Sequence, residues 1–243
     1  MHVDARDPQG RVRILTIDRP QRRNAVDHET LDELHHAVTH APATTRVLVL
    51  RGAGGHFCAG ADLTGVEGAG FADRLRDVLQ ALRGAPFPTL AAVDGAALGA
   101  GTQLAIACDI RTATPAASFG IPAAKLGLVV DHWTVARLVR EAGPGTARSM
   151  LLAAEVLTGD DAHRLGLVQR TCAPDEALAW ADDIATKAPL TISGHKQMLN
   201  ALERDPVADP AVARAWAAAW GSADLQEGLA AFRERRPPRF EGR

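Results

Sequence analysis

Val93-Asp94-Gly95-Ala96-Ala97-Leu98-Gly99-Ala100-Gly101-Thr102-Gln103-Leu104-Ala105-Ile106-Ala107-Cys108-Asp109 decides the fold of this 243-residue chain. It reads as a strand end, a glycine-rich turn and a buried helix near Ala100 to Ala107. A helix that starts directly after such a turn aims its first backbone N–H groups, and the positive end of its dipole, at developing negative charge. Small residues let a ligand come close to the backbone. His56-Phe57-Cys58-Ala59-Gly60-Ala61-Asp62-Leu63 has the same design, a strand end running into a helix start. Two loops that each offer one N–H to one oxygen form an oxyanion hole, suited to a thioester carbonyl that gains enolate character.

Outward from that segment, strand and helix patterns alternate. Arg11 to Asp18 alternates apolar and polar residues and stops at Pro20, the mark of a strand with one buried face. Asn24 to Val26 makes a turn, Asp27 is placed to cap a helix, and Leu31, Leu34, Val38 and Ala41 line one face of that helix up to Pro42. Val47 to Leu50 is a short apolar strand, followed by the loop Gly52 to Gly60. Thr64 to Gly70 is glycine-rich and expected to be mobile. A helix over Phe71 to Leu82 follows, then a buried strand, Thr89 to Val93, behind Pro86 and Pro88. Beyond the decisive segment Ile110 to Ala113 is another strand, and the alternation predicts an α/β fold with parallel strands. From about Asp131 the chain reads as nearly all helix, broken at Gly143–Pro144, Thr158–Gly159 and Pro189, with Asp160 as a cap.

Composition narrows the class. Hydrophobic residues make up 47% of the chain, enough for a buried core. A formal charge of −2 gives no basis for binding nucleic acid or an anionic membrane surface. Cys58, Cys108 and Cys172 form no C-x-x-C pair and suit a reducing compartment. No apolar run is long enough to span a membrane, and the polar start MHVDARDPQG is not a secretion signal, so a cytoplasmic protein is expected.

On these residues the chain resembles the crotonase (enoyl-CoA hydratase/isomerase) superfamily. The matching stretches are Ile17-Asp18-Arg19-Pro20 with Asn24-Ala25-Val26, Phe57 through Leu63, Asp94 through Asp109, and Leu157-Thr158-Gly159 with Gly166-Leu167-Val168. The resemblance implies a ClpP-like spiral of ββα turns over 1–188 and a helical C-terminal trimerisation region over 189–243. It implies acyl-CoA as ligand, with coenzyme A carried on the substrate and no prosthetic group or metal. It also implies a homotrimer or a dimer of trimers. Carried over position by position, the oxyanion donors are the N–H groups of Ala61 and Ala100. Arg23, Ala25, Ala59, Asp62 and Leu63 fall in the stretch that holds the bent coenzyme A, and Phe232 and Arg235 where relatives contact the adenine and the 3′-phosphate.

The departures bear on the reaction. Hydratases of the family use two glutamates, one activating water and one delivering a proton to the α-carbon, and their positions match Gln103 and Ala123. Neither an amide nor a methyl group accepts a proton at neutral pH, and each such group is worth about 10²–10⁴ in rate. Asp131 matches a catalytic aspartate of the family's dienoyl-CoA isomerases. Within the family the chain is similar to a mycobacterial branch that binds acyl-CoA without hydrating it and is linked to mycolic acid synthesis. Gly99 through Leu104, Leu128 to Trp133, Ala219-Trp220-Gly221-Ser222 and Arg236-Pro237-Pro238-Arg239-Phe240 carry that likeness. Three readings stay open: an acyl-CoA-binding protein without hydratase activity, a hydratase or isomerase working through Asp131, and a platform for fatty-acid synthase components.

Blander explanations cover other motifs. Leu104 occupies the third glycine position, so no dinucleotide fingerprint is present. His36 and His40 lack an acidic partner in their motif and read as solvent-exposed, Cys58 as a small buried residue, Trp133 as core, and Arg233 to Arg239 as a solvated face.

Overall fold

The computed structural model describes residues 1–63, 70–202, 217 and 220–239. The glycine-rich stretch from Thr64, apart from Gly70, lies outside the described residues, as do Ala219 and Phe240. The chain forms two compact units, Met1–Phe119 with Leu157–Glu203, and Gly120–Val156 with Arg204–Arg243. Both units are discontinuous in sequence.

In the first unit a sheet has the order β1 (His2–Ala5), β2 (Val12–Ile17), β3 (Val47–Gly52), β4 (Thr89–Val93), β6 (Ile110–Ala113) and β9 (Arg170–Thr171). Every pairing from β2 onward is parallel, as the alternation predicts, and Leu48 lies opposite Thr89 and Leu50 opposite Ala91. Val47, Leu48, Val49 and Leu50 are all fully buried, because helices cover both faces of the sheet. On one face α6 (Pro174–Ala185) packs Ala177, Leu178 and Ala181 against Val12, Val47, Val49 and Leu90. On the other lie α1 (His28–Thr39) and α3 (Ala100–Ala107), and α2 (Phe71–Gly84) packs on both of these helices. A smaller sheet joins β5 (Ala96–Leu98), β7 (Ser118–Gly120) and β8 (Val156–Thr158).

Asp27 caps α1 as expected, accepting the Thr30 N–H at 2.9 Å, but the helix ends at Thr39, short of Ala41. Strands β1, β5, β7, β8 and β9 were not anticipated. All four residues of β1 are exposed and carry no burial pattern, and the others are two or three residues long. The cap expected of Asp160 belongs to Thr158, whose hydroxyl accepts the Asp161 N–H at 3.1 Å, so Asp160 lies inside the first turn of α5 (Gly159–Arg164). In the second unit α4 (His132–Leu152) is two helical segments meeting at Gly143, φ 79°, with Pro144 next to it. The C-terminal helix α8 (Ala223–Glu234) packs so closely on the turn Pro122–Leu126 that a Cβ on Gly228 would stand 2.4 Å from the Leu126 carbonyl oxygen. Among the described residues no helix is long and apolar enough to cross a membrane.

Candidate acyl-thioester site

Three chain segments lie side by side at the carboxyl ends of β3 and β4. Cys58 N–H donates to Ala96 O at 2.8 Å and Cys58 O accepts from Leu98 N at 3.0 Å, which ties the 58–62 segment to β5. On its other side Ala59 N donates to Arg23 O at 3.0 Å, Val26 N to Gly60 O at 2.8 Å and Asp62 N to Val26 O at 2.8 Å. Because Gly60 O and Asp62 N both face Val26, the N–H of the intervening Ala61 faces the opposite side, toward β5.

There β5 has ended and Gly99 turns the chain into α3. Gly60, φ 118°, and Gly99, φ 54°, meet back to back: a Cβ on Gly99 would lie 3.9 Å from the Gly60 Cα, and one on Gly60 would lie 3.1 Å from Leu98 O. The residues that follow these glycines are Ala61 and Ala100. Ala100 is the first residue of α3, and Gly99 provides no side-chain cap, so its N–H is one of the helix's unsatisfied donors. Among the described residues neither the Ala61 nor the Ala100 N–H donates to another protein group. Gly101 sets the spacing, since a Cβ there would stand 2.0 Å from Cys58 O.

Polar side chains hold this arrangement from behind. Buried Asn24, φ 58°, donates from Nδ2 to Ala53 O at 2.7 Å and His56 O at 2.5 Å, and its Oδ1 accepts the Arg19 N–H at 2.8 Å. The Arg19 guanidinium pairs with Asp62 at 2.9 Å and Asp27 at 2.8 Å and also donates to Ala25 O. Burial pushes the Asp27 carboxyl up, but the Thr30 hydrogen bonds and the Arg19 charge outweigh it and hold it below its ordinary value. Sequence reasoning gave Arg19 and Asn24 no positioning role. For Asn24 the signal was its tolerance of left-handed backbone in a short turn, and for Arg19 none was local.

The other predicted residues divide between the units. Ala25 and Asp62 are buried, Ala59, Ala61 and Leu63 half-buried and Arg23 exposed, all in the first unit with the paired turns. Gln103, 8% exposed, lies one turn into α3, and its N–H donates to Gly99 O at 3.1 Å. Cys58 is fully buried, which pushes its thiol up to about 12, and its Sγ faces Gly60 O at 3.6 Å. His56 instead accepts the Ala96 N–H at 3.2 Å. The two do not form a nucleophile and base.

In the second unit Ala123 lies in the Pro122–Leu126 turn, and its carbonyl accepts the Leu128 N–H at 3.0 Å. Asp131 caps α4, accepting the Thr134 N–H at 2.7 Å. Half-buried Trp133 has an indole N–H with no partner among the described residues. Phe232 is 58% exposed and Arg235 is an exposed left-handed C-cap of α8, φ 53°. The solvated run expected around Arg236 is ordered by Glu227, which receives two guanidinium hydrogen bonds, at 2.6 and 2.8 Å. His36 and His40 stack with ring centroids 4.1 Å apart, and no group of three or more metal-ligating side chains occurs among the described residues.

The family model described as enoyl-CoA hydratase/isomerase matches residues 7–243. The chain belongs to that family. It is 42% identical over 240 residues to the probable enoyl-CoA hydratase echA6 of Mycobacterium tuberculosis, covering 94% of this chain and 96% of that protein. The crystal structure of an enoyl-CoA hydratase/isomerase from Pseudoalteromonas atlantica superposes with a TM-score of 0.87 at 28% identity, covering 98% of this chain and 99% of the other. A methylmalonyl-CoA decarboxylase complexed with 2S-carboxypropyl-CoA gives a TM-score of 0.91 at 24% identity over 100% and 99% of the chains, a likeness of fold. The α/β fold is therefore that of the crotonase superfamily, with a helical C-terminal region.

Proposed function

We propose that the paired turns bind the thioester oxygen of an acyl-CoA and that the protein does not hydrate its ligand at enzymatic rates. One observation carries the first half: the back-to-back glycines Gly60 and Gly99 each precede an N–H, on Ala61 and Ala100, that no described protein group accepts. Donors of this kind act on an oxyanion, and losing one typically costs about 10²–10³ in rate where chemistry follows. The second half rests on Gln103 and Ala123, which leave both of the family's acid/base positions without a carboxylate. In this reading Arg23, Ala25, Ala59, Asp62 and Leu63 follow the coenzyme A. The Asp62 carboxylate is already engaged by Arg19 and acts on shape rather than on the ligand's charge. Phe232 and Arg235 offer an apolar face and a permanent cation for an adenine and its phosphate. A homo-oligomer belongs to the same proposal, supported by the exposed Met198, Leu199 and Leu202 of α7 (Pro189–Leu202).

Calorimetric titration with acyl-CoAs of increasing chain length, run beside a crotonyl-CoA hydration assay, tests the proposal. Saturable binding without turnover is expected. Hydration at the 1–10³ s⁻¹ or so typical of enzymes would overturn the second half, and absence of binding at every chain length would overturn the first.

A further inference from the structure

Taking the paired turns as the thioester site, a reading on which this inference rests, we propose that His56 is a positioning residue for it and makes ligand binding sensitive to acid. His56 stands two residues before Cys58, and its ring is half-buried. Its Nδ1 accepts the Ala96 N–H at 3.2 Å. A backbone N–H can only donate, so Nδ1 carries a lone pair and the proton of the neutral ring sits on Nε2. Gly95 makes the approach possible, because a Cβ there would stand 2.7 Å from Nδ1 and 2.1 Å from Gly55 O.

Ala96 is where β5 begins, and β5 is three residues long. Its other ties to the 56–58 segment are Cys58 N–H to Ala96 O at 2.8 Å and Leu98 N–H to Cys58 O at 3.0 Å. Leu98 leads directly into Gly99 and the Ala100 donor. Imidazole is the side chain whose charge ordinarily changes between about pH 5 and 8. Protonation at Nδ1 sets a donor against the Ala96 N–H, and because both nitrogens of an imidazolium are donors, no rotation of the ring restores an acceptor. The entry to β5 then loses its tie, and any displacement of that short strand moves Ala100 relative to Ala61. The ionisable groups on the elements around His56 are Asp94 at the end of β4, Cys58 on its own segment, and Arg19, Arg22, Arg23 and Asp62 on the flanking turns. Burial keeps the Cys58 thiol neutral, Arg19 is engaged by Asp62 and Asp27, and Arg22 and Arg23 are exposed. Asp94 accepts the Thr114 hydroxyl at 2.9 Å through Oδ1, and its Oδ2 lies beside Gly55. A pull from Asp94 on the imidazolium gives Ala96 no acceptor, so the tie is lost whichever of these groups the proton faces.

The test titrates the full chain with octanoyl-CoA at about pH 7.5 and about pH 5.5, either side of the ordinary imidazole range, beside His56→Asn. The asparagine Oδ1 takes the place of Nδ1 as an acceptor that stays unprotonated. Between the two pH values wild-type affinity should fall by about three- to tenfold more than that of His56→Asn, the scale of one net hydrogen bond. Phosphate on the ligand also titrates in this range, and the comparison cancels it. In the ligand-free protein the Ala96 amide NMR resonance should titrate together with the His56 ring and stand still in His56→Asn. An equal fall in both proteins, or an Ala96 amide that ignores the His56 ring, would overturn the inference. Absence of octanoyl-CoA binding at both pH values would sink the acyl-CoA reading and with it the regulation of its site. The Ala96 amide separates that failure from a failure of the His56 tie. If His56→Asn does not fold, the wild-type amide decides alone.

Discussion

At the carboxyl ends of β3 and β4 the chain presents glycine, alanine and cysteine, whereas at their amino ends it buries an ion pair. Asp109 Oδ2 receives the Thr89 N–H at 2.7 Å, the Thr89 hydroxyl at 2.9 Å and Lys196 Nζ at 2.7 Å. Lys196, 6% exposed, also donates to Phe87 O at 3.0 Å and Leu82 O at 3.2 Å, and so clamps α7 to the end of α2 and the start of β4. One end depends on side chains that are absent, the other on side chains that are present. The carboxyl end is therefore vulnerable to an added methyl group, and the amino end to a removed charge.

The contrast can be broken most strongly by supplying the two carboxylates that the proposed function counts as missing. Gln103→Glu combined with Ala123→Glu should raise crotonyl-CoA hydration by about 10²-fold or more, read as initial rate; an inert double variant would mean that more than acid/base groups is missing. At the amino end, Lys196→Met should cost about 3 kcal/mol in denaturant unfolding. That is the low end of the range for breaking a buried pair, because the Asp109 side chain is 25% exposed. Adding Asp109→Asn to the same chain should recover most of the loss. Gly101→Ala should cost about 1–3 kcal/mol and weaken acyl-CoA binding with it, since the new methyl would meet Cys58 O at 2.0 Å. A variant with unchanged affinity would show that the turns tolerate displacement.

The smallest effect concerns acid. The folded-state pKa of Asp27 is depressed, so its contribution is present above its unfolded value and is lost as pH falls through the folded one. Asp27→Asn should flatten the stability profile below about pH 4, where carboxylates ordinarily titrate, and leave its slope near neutrality unchanged.

Much of this was legible where the cause is local. The start of α3 at Ala100 could be read from the glycine before it, the Asp27 cap from its place ahead of an apolar stripe, and the break at Gly143–Pro144 from the residues themselves. The paired donors were named through a family resemblance, and their facing arrangement needed the fold. The clamp was invisible because Lys196 and Asp109 are 87 residues apart and neither has a local pattern that marks it as paired. In the second unit the sequence placed Asp131 ahead of a helix, and its cap bond is what that placement predicts.

The meeting of Gly60 and Gly99 has a kinetic consequence. The two glycines are brought together by strands whose pairing joins residues about forty positions apart, Leu48 with Thr89 and Leu50 with Ala91. A slip of one residue in that pairing would shift one turn past the other by about 3.3 Å and pull the two donors out of convergence. If the paired turns bind as proposed, binding competence follows a non-local contact that must first overcome loop-closure entropy. During refolding, ligand capture would then lag behind helix formation and time the moment at which β3 and β4 come into register.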